Sequence, residues 1–76
     1  MTRRLPQLSY RKVVHALERR ELVLDHTKGS HNYFINPDDP TILVCMPRHA
    51  SDIKRSLLRK IVKDAGLTVE QFLDLL

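Results

Sequence analysis

Three strand-like segments follow one another in the middle of the chain, and the turns between them are too short for any crossover. Residues 22–27, 31–36 and 41–46 are rich in β-branched, aromatic and other apolar side chains, which is typical of strands. Gly29 can supply the positive φ of a tight turn, and residues 37–40 read Pro-Asp-Asp-Pro, a strong turn sequence. Strands joined by such short connections run antiparallel. The sequence therefore predicts a three-stranded antiparallel meander.

A helix is predicted before the strands. Val13, Val14 and Leu17 repeat with the spacing of one helical face, and charged side chains occupy the opposite face. Ser9 is a suitable N-cap because its hydroxyl can accept a hydrogen bond from the first turn. We predict an amphipathic helix over residues 10–20.

Two further helices are predicted after the strands. Residues 57–65 carry a broad apolar stripe, with Ser56 as the predicted N-cap and Gly66 at the position where glycine often ends a helix. Thr68 and Gln71 have the spacing of a capping box, which predicts a short final helix.

The predicted order of elements is α-β-β-β-α-α, and residues 48–55 are predicted to be a loop. One face of the sheet must be covered by helices, which gives an α+β fold. It is a two-layer sandwich of a three-stranded antiparallel sheet with helices on one face. This is the topology of a double-stranded-RNA-binding domain with a small extra helix. We expect residues 1–76 to form a single domain.

Composition excludes several classes of protein. A chain of 76 residues with 42% hydrophobic and 29% charged residues fits a small globular protein and not a disordered one. No apolar run approaches the roughly 20 residues of a membrane span, and the basic N-terminus lacks the apolar stretch of a signal peptide. Cys45 is the only cysteine, so an internal disulfide is excluded. We expect a cytoplasmic protein that does not bind membranes.

Charge is distributed in alternating blocks. Residues 1–20 and 47–63 each hold six Lys or Arg against one acidic residue, a balance of +5 in each block. Residues 21–46 and 64–76 each carry a balance of −3. The two basic blocks predict a basic face that binds nucleic acid, if the fold brings them together. The alternative is that these side chains only solvate helix surfaces.

His31 is the strongest candidate for chemistry. It follows Ser30 where the chain leaves the predicted turn, and an imidazole with an ordinary pKa of about 6.5 can exchange a proton near neutral pH. Metal-free RNA cleavage needs such a group to deprotonate the 2′-hydroxyl. Lys28, Arg48 and Lys54 are candidates to offset charge on the phosphorane. Taken alone, the spacing favours a structural role for His31, as a half-buried strand residue with a hydrogen-bond partner.

The other histidines and the cysteine indicate no metal or cofactor site. His15 lies in the first predicted helix and is expected at its surface. His26 and His31 flank the turn and could supply two metal ligands, but no third ligand has suitable spacing. Cys45 is expected to be a small buried hydrophobic residue of the third strand.

Several stretches, spread over nearly the whole chain, form an ordered set of motifs. They are Leu5-Pro6, Ala16-Leu17-Glu18, Lys28-Gly29-Ser30-His31, Pro47-Arg48-His49 and residues 58–72. This set resembles the HicA family of toxins. The resemblance implies a small ribonuclease of a toxin–antitoxin pair, with a double-stranded-RNA-binding-like fold. It also implies an enzyme that cleaves messenger RNA and is silenced by a HicB-type antitoxin.

The resemblance assigns roles to individual residues. The histidine of the family's Gly-Ser-His motif is catalytic and corresponds to His31. The residues that we assign to RNA binding are Lys28, Ser30, Arg48, His49, Lys54, Arg55 and Arg59.

Two positions depart from the family pattern. Glu21 stands where the family usually has glycine, and Ser56-Leu57 stands where it usually has Gly-Thr. Ser56 can still act as an N-cap, but Leu57 lacks a hydroxyl that could contact phosphate.

We therefore predict a metal-independent endoribonuclease toxin, an mRNA interferase, with His31 as its proton-transfer residue. A non-catalytic RNA-binding module on the same fold is the first alternative. A protein-interaction domain whose basic face binds an acidic partner is the second. Sequence alone does not separate the three, and it does not indicate the oligomeric state.

Overall fold

The computed structural model describes residues 4–48 and 51–76. Its elements are β1 (Leu8–Ser9), α1 (Tyr10–Arg19), β2 (Val23–Lys28), β3 (His31–Asn36), β4 (Asp39–Pro47), β5 (Asp52–Ile53), α2 (Arg55–Asp64) and α3 (Val69–Leu73). The helices and the three longer strands follow the predicted order, and β1 and β5 are additional. Within the described ranges, no helix is long and apolar enough to span a bilayer.

β2, β3 and β4 form a three-stranded antiparallel sheet in that order. The central strand begins at His31, which pairs with Lys28 on β2 and with Pro47 on β4. Gly29 has a φ of 58° in the turn between β2 and β3, which is the left-handed conformation that glycine adopts readily. The predicted α+β fold and the predicted hairpin around Gly29 are thus confirmed.

Alternate side chains of the sheet face the helices and form the core. Phe34 on β3 and Val44 and Met46 on β4 are buried, as the twofold alternation of a strand requires. The helices contribute Val13, Ala16, Leu17, Leu58, Ile61, Val62 and Phe72. On the opposite face, Val23 and Leu43 are 48% and 43% exposed. The described residues therefore form two layers, and one face of the sheet is open to solvent.

β1 and β5 form a second, very small antiparallel ladder, so the predicted loop over residues 48–55 is wrong in part. Leu8 pairs with Ile53, and both side chains are buried. The N–H of Tyr10 donates to the carbonyl of Ser51 at 3.2 Å, which continues this contact into α1. Two-residue strands have no periodicity, and these two segments are far apart in the sequence, so no local pattern indicates the pairing.

The predicted caps of α1 and α3 are confirmed. The Ser9 hydroxyl accepts a hydrogen bond from the N–H of Lys12 at 3.3 Å. Thr68 and Gln71 form a complete capping box, in which each side chain accepts from the other residue's backbone N–H. Both caps use local side-chain bonds, which is why the sequence indicates them.

The start of α2 differs from the prediction. Its N-cap is Lys54, which makes no side-chain cap hydrogen bond, and Ser56 lies inside the first turn. The carbonyl of Lys54 accepts from the N–H of Leu58 at 2.8 Å. β5 ends at the buried Ile53, so the chain enters the helix directly from the ladder. Tertiary packing, and not a capping side chain, sets where α2 begins.

The second turn of the meander is shorter than predicted. β4 already begins at Asp39, so the turn contains only Pro37 and Asp38, and Pro40 lies within the strand. The ladder register shifts between Ile35 and Asn36, opposite this proline. Because β4 is an edge strand with an irregular start, it tolerates a residue without an N–H.

α1 and α2 end in the same way, although different residues form the two ends. Glu21 and Gly66 follow the helices with φ values of 69° and 72°. The next N–H in each case, of Leu22 and of Leu67, donates to a carbonyl one turn back, at 3.0 Å and 3.1 Å. This is the Schellman arrangement, which favours glycine. Glu21 therefore adopts a backbone conformation that L-residues rarely adopt.

Replacement of Glu21 by glycine should stabilise the protein. A left-handed conformation costs an L-residue about 1–2 kcal/mol, and the extra freedom of glycine in the unfolded chain offsets about 0.4–1 kcal/mol of that. We expect Glu21→Gly to raise the free energy of unfolding by about 0.5–1 kcal/mol, measured by thermal and urea unfolding.

Gly66→Ala is the matched control. A Cβ at Gly66 would meet Ile42 Cδ1 at 3.7 Å, which is an ordinary contact. Any loss of stability in this variant therefore measures the cost of the left-handed backbone conformation alone. We expect a fall of about 1 kcal/mol. A lower stability for Glu21→Gly would show that the glutamate side chain stabilises the fold by more than its backbone conformation costs.

Candidate active site

His31 lies at one end of the open sheet face. Cross-strand partners share a face of a sheet, so the side chains of Lys28, His31 and Pro47 form one row there. The His31 side chain is exposed, while its backbone belongs to the central strand. The predicted catalytic residue therefore combines an accessible imidazole with a backbone that pairs with a strand on each side.

The turn before His31 is tied to the end of β4. The N–H of Arg48 donates to the carbonyl of Ser30 at 2.6 Å, which closes the end of the sheet beyond the ladder. This bond brings Ser30, His31 and Arg48 together with Lys28. Four of the predicted site residues thus meet at this end of the sheet, and the predicted RNA-binding residue His49 lies outside the described residues.

A side-chain network anchors the hairpin to the helical layer. Asn32 faces away from the open sheet face, and its Nδ2 donates to the Tyr10 hydroxyl of α1 at 2.7 Å. The Thr27 hydroxyl donates to Asn32 Oδ1, also at 2.7 Å. Because Asn32 follows His31 directly, these bonds fix the strand that carries the histidine.

A second ordered group of side chains lies in the row next to His31. The register of β2 shifts between Leu24 and His26, so Asp25 and His26 together oppose Tyr33. Such a β-bulge interrupts the alternation of side chains. Asp25 Oδ2 lies 2.7 Å from His26 Nδ1. We call Asp25, His26 and Tyr33 the edge cluster, because β2 is an edge strand.

The rings of the edge cluster are stacked. The His26 and Tyr33 centroids are 4.5 Å apart and their planes differ by 6°. A side-chain hydrogen bond with Cys45 raises the pKa of Tyr33, with a Coulombic contribution from the same residue and some desolvation, so the phenol stays protonated at neutral pH. Cys45 is half-buried on the open face, so the expectation that it is buried in the core is wrong.

The comparison with protein families supports one assignment. The family model described as HicA toxin of bacterial toxin–antitoxin matches residues 10–67, which is more than half of the chain. The chain belongs to the HicA toxin family. It is therefore the toxin of a toxin–antitoxin pair with a nuclease kind of activity, and its ligands are, in general terms, RNA and a cognate antitoxin. A search of curated proteins finds no significant match.

The structured part of this HicA-family toxin extends beyond the matched segment. Phe72 on α3 lies after residue 67, yet its side chain is fully buried in the same core as Leu17 and Ile61. The third helix is thus part of the hydrophobic core that supports the site.

The remaining predicted RNA-binding residues lie in the helical layer. Lys54 is the N-cap of α2, and Arg55 and Arg59 are four residues apart on its exposed side. α2 packs against β4 from the side opposite to His31. These three residues therefore do not share the face that carries His31, and Arg55 and Arg59 form a separate basic stripe on α2.

The described residues of the toxin show no cluster of metal ligands. Within 4–48 and 51–76, no group of three or more His, Cys, Asp or Glu side chains is placed to hold a metal ion. His15 is exposed on α1, as predicted, and not on the sheet that carries His26 and His31.

Sequence reasoning missed the edge cluster. The sequence indicates His26 only as a second metal ligand beside His31. The one available signal is the Asp25-His26 dipeptide just before the turn. The bulge that places both residues opposite Tyr33 has no signature in the sequence.

Proposed function

We propose that this HicA-family toxin is an endoribonuclease that cleaves messenger RNA at His31 without a metal ion. The observation that supports this most directly is the accessible imidazole of His31 in a row with Lys28 and close to Arg48. His31 would take the proton of a 2′-hydroxyl as its oxygen attacks the adjacent phosphate. The cations of Lys28 and Arg48 would offset the charge on the phosphorane.

RNA would contact both basic regions. Residues near His31 would bind the scissile phosphate, and the stripe on α2 would bind phosphates farther along the strand. The proposed RNA-binding residues are Lys28, Ser30, Arg48, His49, Lys54, Arg55 and Arg59.

Cleavage should persist after removal of divalent metal. Among the residues that the structure describes, His26 and His31 are the two histidines on the open face, and catalytic zinc sites normally use three protein ligands. We expect the purified toxin to cleave RNA at the same rate in EDTA as in Mg²⁺ or Zn²⁺.

His31→Ala protein, purified in parallel, is the control for contaminating nucleases. Activity that disappears in EDTA and returns with one metal would show a metal-dependent enzyme.

We also propose that a HicB-type antitoxin inhibits the toxin by covering the open sheet face. Val23 and Leu43 form an apolar area there, about half exposed, on the same face as His31. Burying this area would stabilise a complex. An antitoxin that extends from this area along the face to His31 would also block the access of RNA to the histidine.

A further inference from the structure

Cleavage at a phosphodiester needs two proton transfers on opposite sides of phosphorus. The attacking and leaving oxygens of a phosphoryl displacement lie roughly in line, so a single imidazole beside the 2′-hydroxyl does not reach the leaving 5′-oxygen. His31 accounts for the first transfer only. A second group should therefore lie on the same face of the sheet, about one phosphodiester away.

His26 has the required position. It pairs with Tyr33, which is two residues beyond His31 on the same strand, so the two histidines are diagonal neighbours on the open face. Diagonal neighbours in an antiparallel pair are about 7–8 Å apart. This separation leaves room for a phosphodiester between the two rings.

His26 is also oriented, which is unusual for an exposed side chain. A carboxylate only accepts hydrogen bonds, so the 2.7 Å contact with Asp25 Oδ2 requires the proton to be on Nδ1. Stacking on Tyr33 fixes the plane of the ring. Nε2 is then the nitrogen left for a ligand.

We propose that His26, oriented by Asp25 and Tyr33, is the general acid that protonates the leaving 5′-oxygen. This rests on the proposed ribonuclease function. His31 accepts the 2′-hydroxyl proton, the O2′–P bond forms and the P–O5′ bond breaks. His26 acts in its doubly protonated form, in which Nδ1–H stays bonded to Asp25 and the proton on Nε2 passes to O5′, leaving a neutral imidazole. The products are a 2′,3′-cyclic phosphate and a 5′-hydroxyl, and no water is consumed.

A change of leaving group tests the proposal. An RNA oligonucleotide with a cleavage site mapped for the wild-type toxin is made with oxygen or with sulfur at the 5′-bridging position, because a thiolate leaves without protonation. The variant is His26→Phe, which keeps an aromatic ring against Tyr33. We expect it to cleave the oxygen substrate about 100-fold more slowly. With the sulfur substrate, its rate should be close to that of the wild type.

Three further variants, tested on both substrates, show whether the effect is specific to loss of the acid. His31→Ala should be slow on both substrates, because sulfur does not replace the base. Asp25→Asn should show a smaller loss on oxygen that sulfur also restores. His15→Phe, the same substitution at an exposed histidine of α1, should match the wild type on both.

Two results would overturn the acid role of His26 without contradicting the ribonuclease proposal. One is wild-type cleavage of the oxygen substrate by His26→Phe. The other is an equal loss on both substrates, which would make His26 a positioning residue. Failure to map any cleavage site with the wild-type toxin would refute the ribonuclease proposal and the acid role together.

Discussion

Replacement of His31 by alanine should abolish RNA cleavage and leave the fold intact. Loss of one general acid or base lowers a rate by about 100- to 10,000-fold. The side chain is exposed, and substitutions at such positions usually change stability by less than about 0.5 kcal/mol. Cleavage of labelled RNA, growth arrest on expression in cells and thermal unfolding measure the three consequences.

His15→Ala is the matched control, since this histidine is also exposed but lies on α1. It should cleave RNA like the wild type. A His31→Ala protein that cleaves at the wild-type rate would disprove the assignment. If the variant unfolds instead, the histidine has a structural role. Retained RNA binding without any wild-type cleavage would favour the non-catalytic RNA-binding module.

A HicB-type antitoxin, added in stoichiometric amount, should stop cleavage completely. RNA and the antitoxin would use the same end of the open face, where Lys28, His31 and Arg48 meet, so the two should compete. The measurement is a titration of antitoxin into His31→Ala toxin with and without excess RNA, because that variant leaves the RNA intact. Simultaneous binding at undiminished affinity would show that inhibition acts elsewhere.

One substitution should affect the binding of the antitoxin and not the cleavage of RNA. Leu43 lies in the apolar part of the open face and is 43% exposed, so Leu43→Glu should weaken antitoxin binding by about 10-fold or more while RNA cleavage continues. Leu76→Glu is the control, since Leu76 is 45% exposed at the end of the chain and outside this face. Equal antitoxin affinity for the two variants would place the contact on another surface.

The parts of the fold that depend on local interactions were predictable. Gly29 indicated the hairpin because a tight turn needs its conformation, and Thr68 with Gln71 indicated α3 because their side chains bond within one turn. The pairing of Leu8 with Ile53 and the start of α2 after Lys54 were not predictable. Both depend on segments that meet only in the folded chain.

The same distinction applies to the site. His31 could be placed at the start of a strand beside a turn, because the turn is local. The sequence did not show that Lys54, Arg55 and Arg59 lie in the opposite layer, since charge blocks carry no information about layers. It also did not show the stacking of His26 on Tyr33, because the bulge at Asp25 reverses the expected alternation.

The position of His31 on the central strand has a consequence for the timing of intoxication. Both neighbouring strands hold the backbone of this residue, and the bond between Ser30 and Arg48 closes the adjacent turn. The sheet itself holds the backbone at this position, so its geometry does not depend on a bound partner. On the proposed function, the toxin would be competent as soon as the antitoxin leaves it. The delay between loss of free antitoxin and the first RNA cleavage would then equal the lifetime of the complex, with no folding step added.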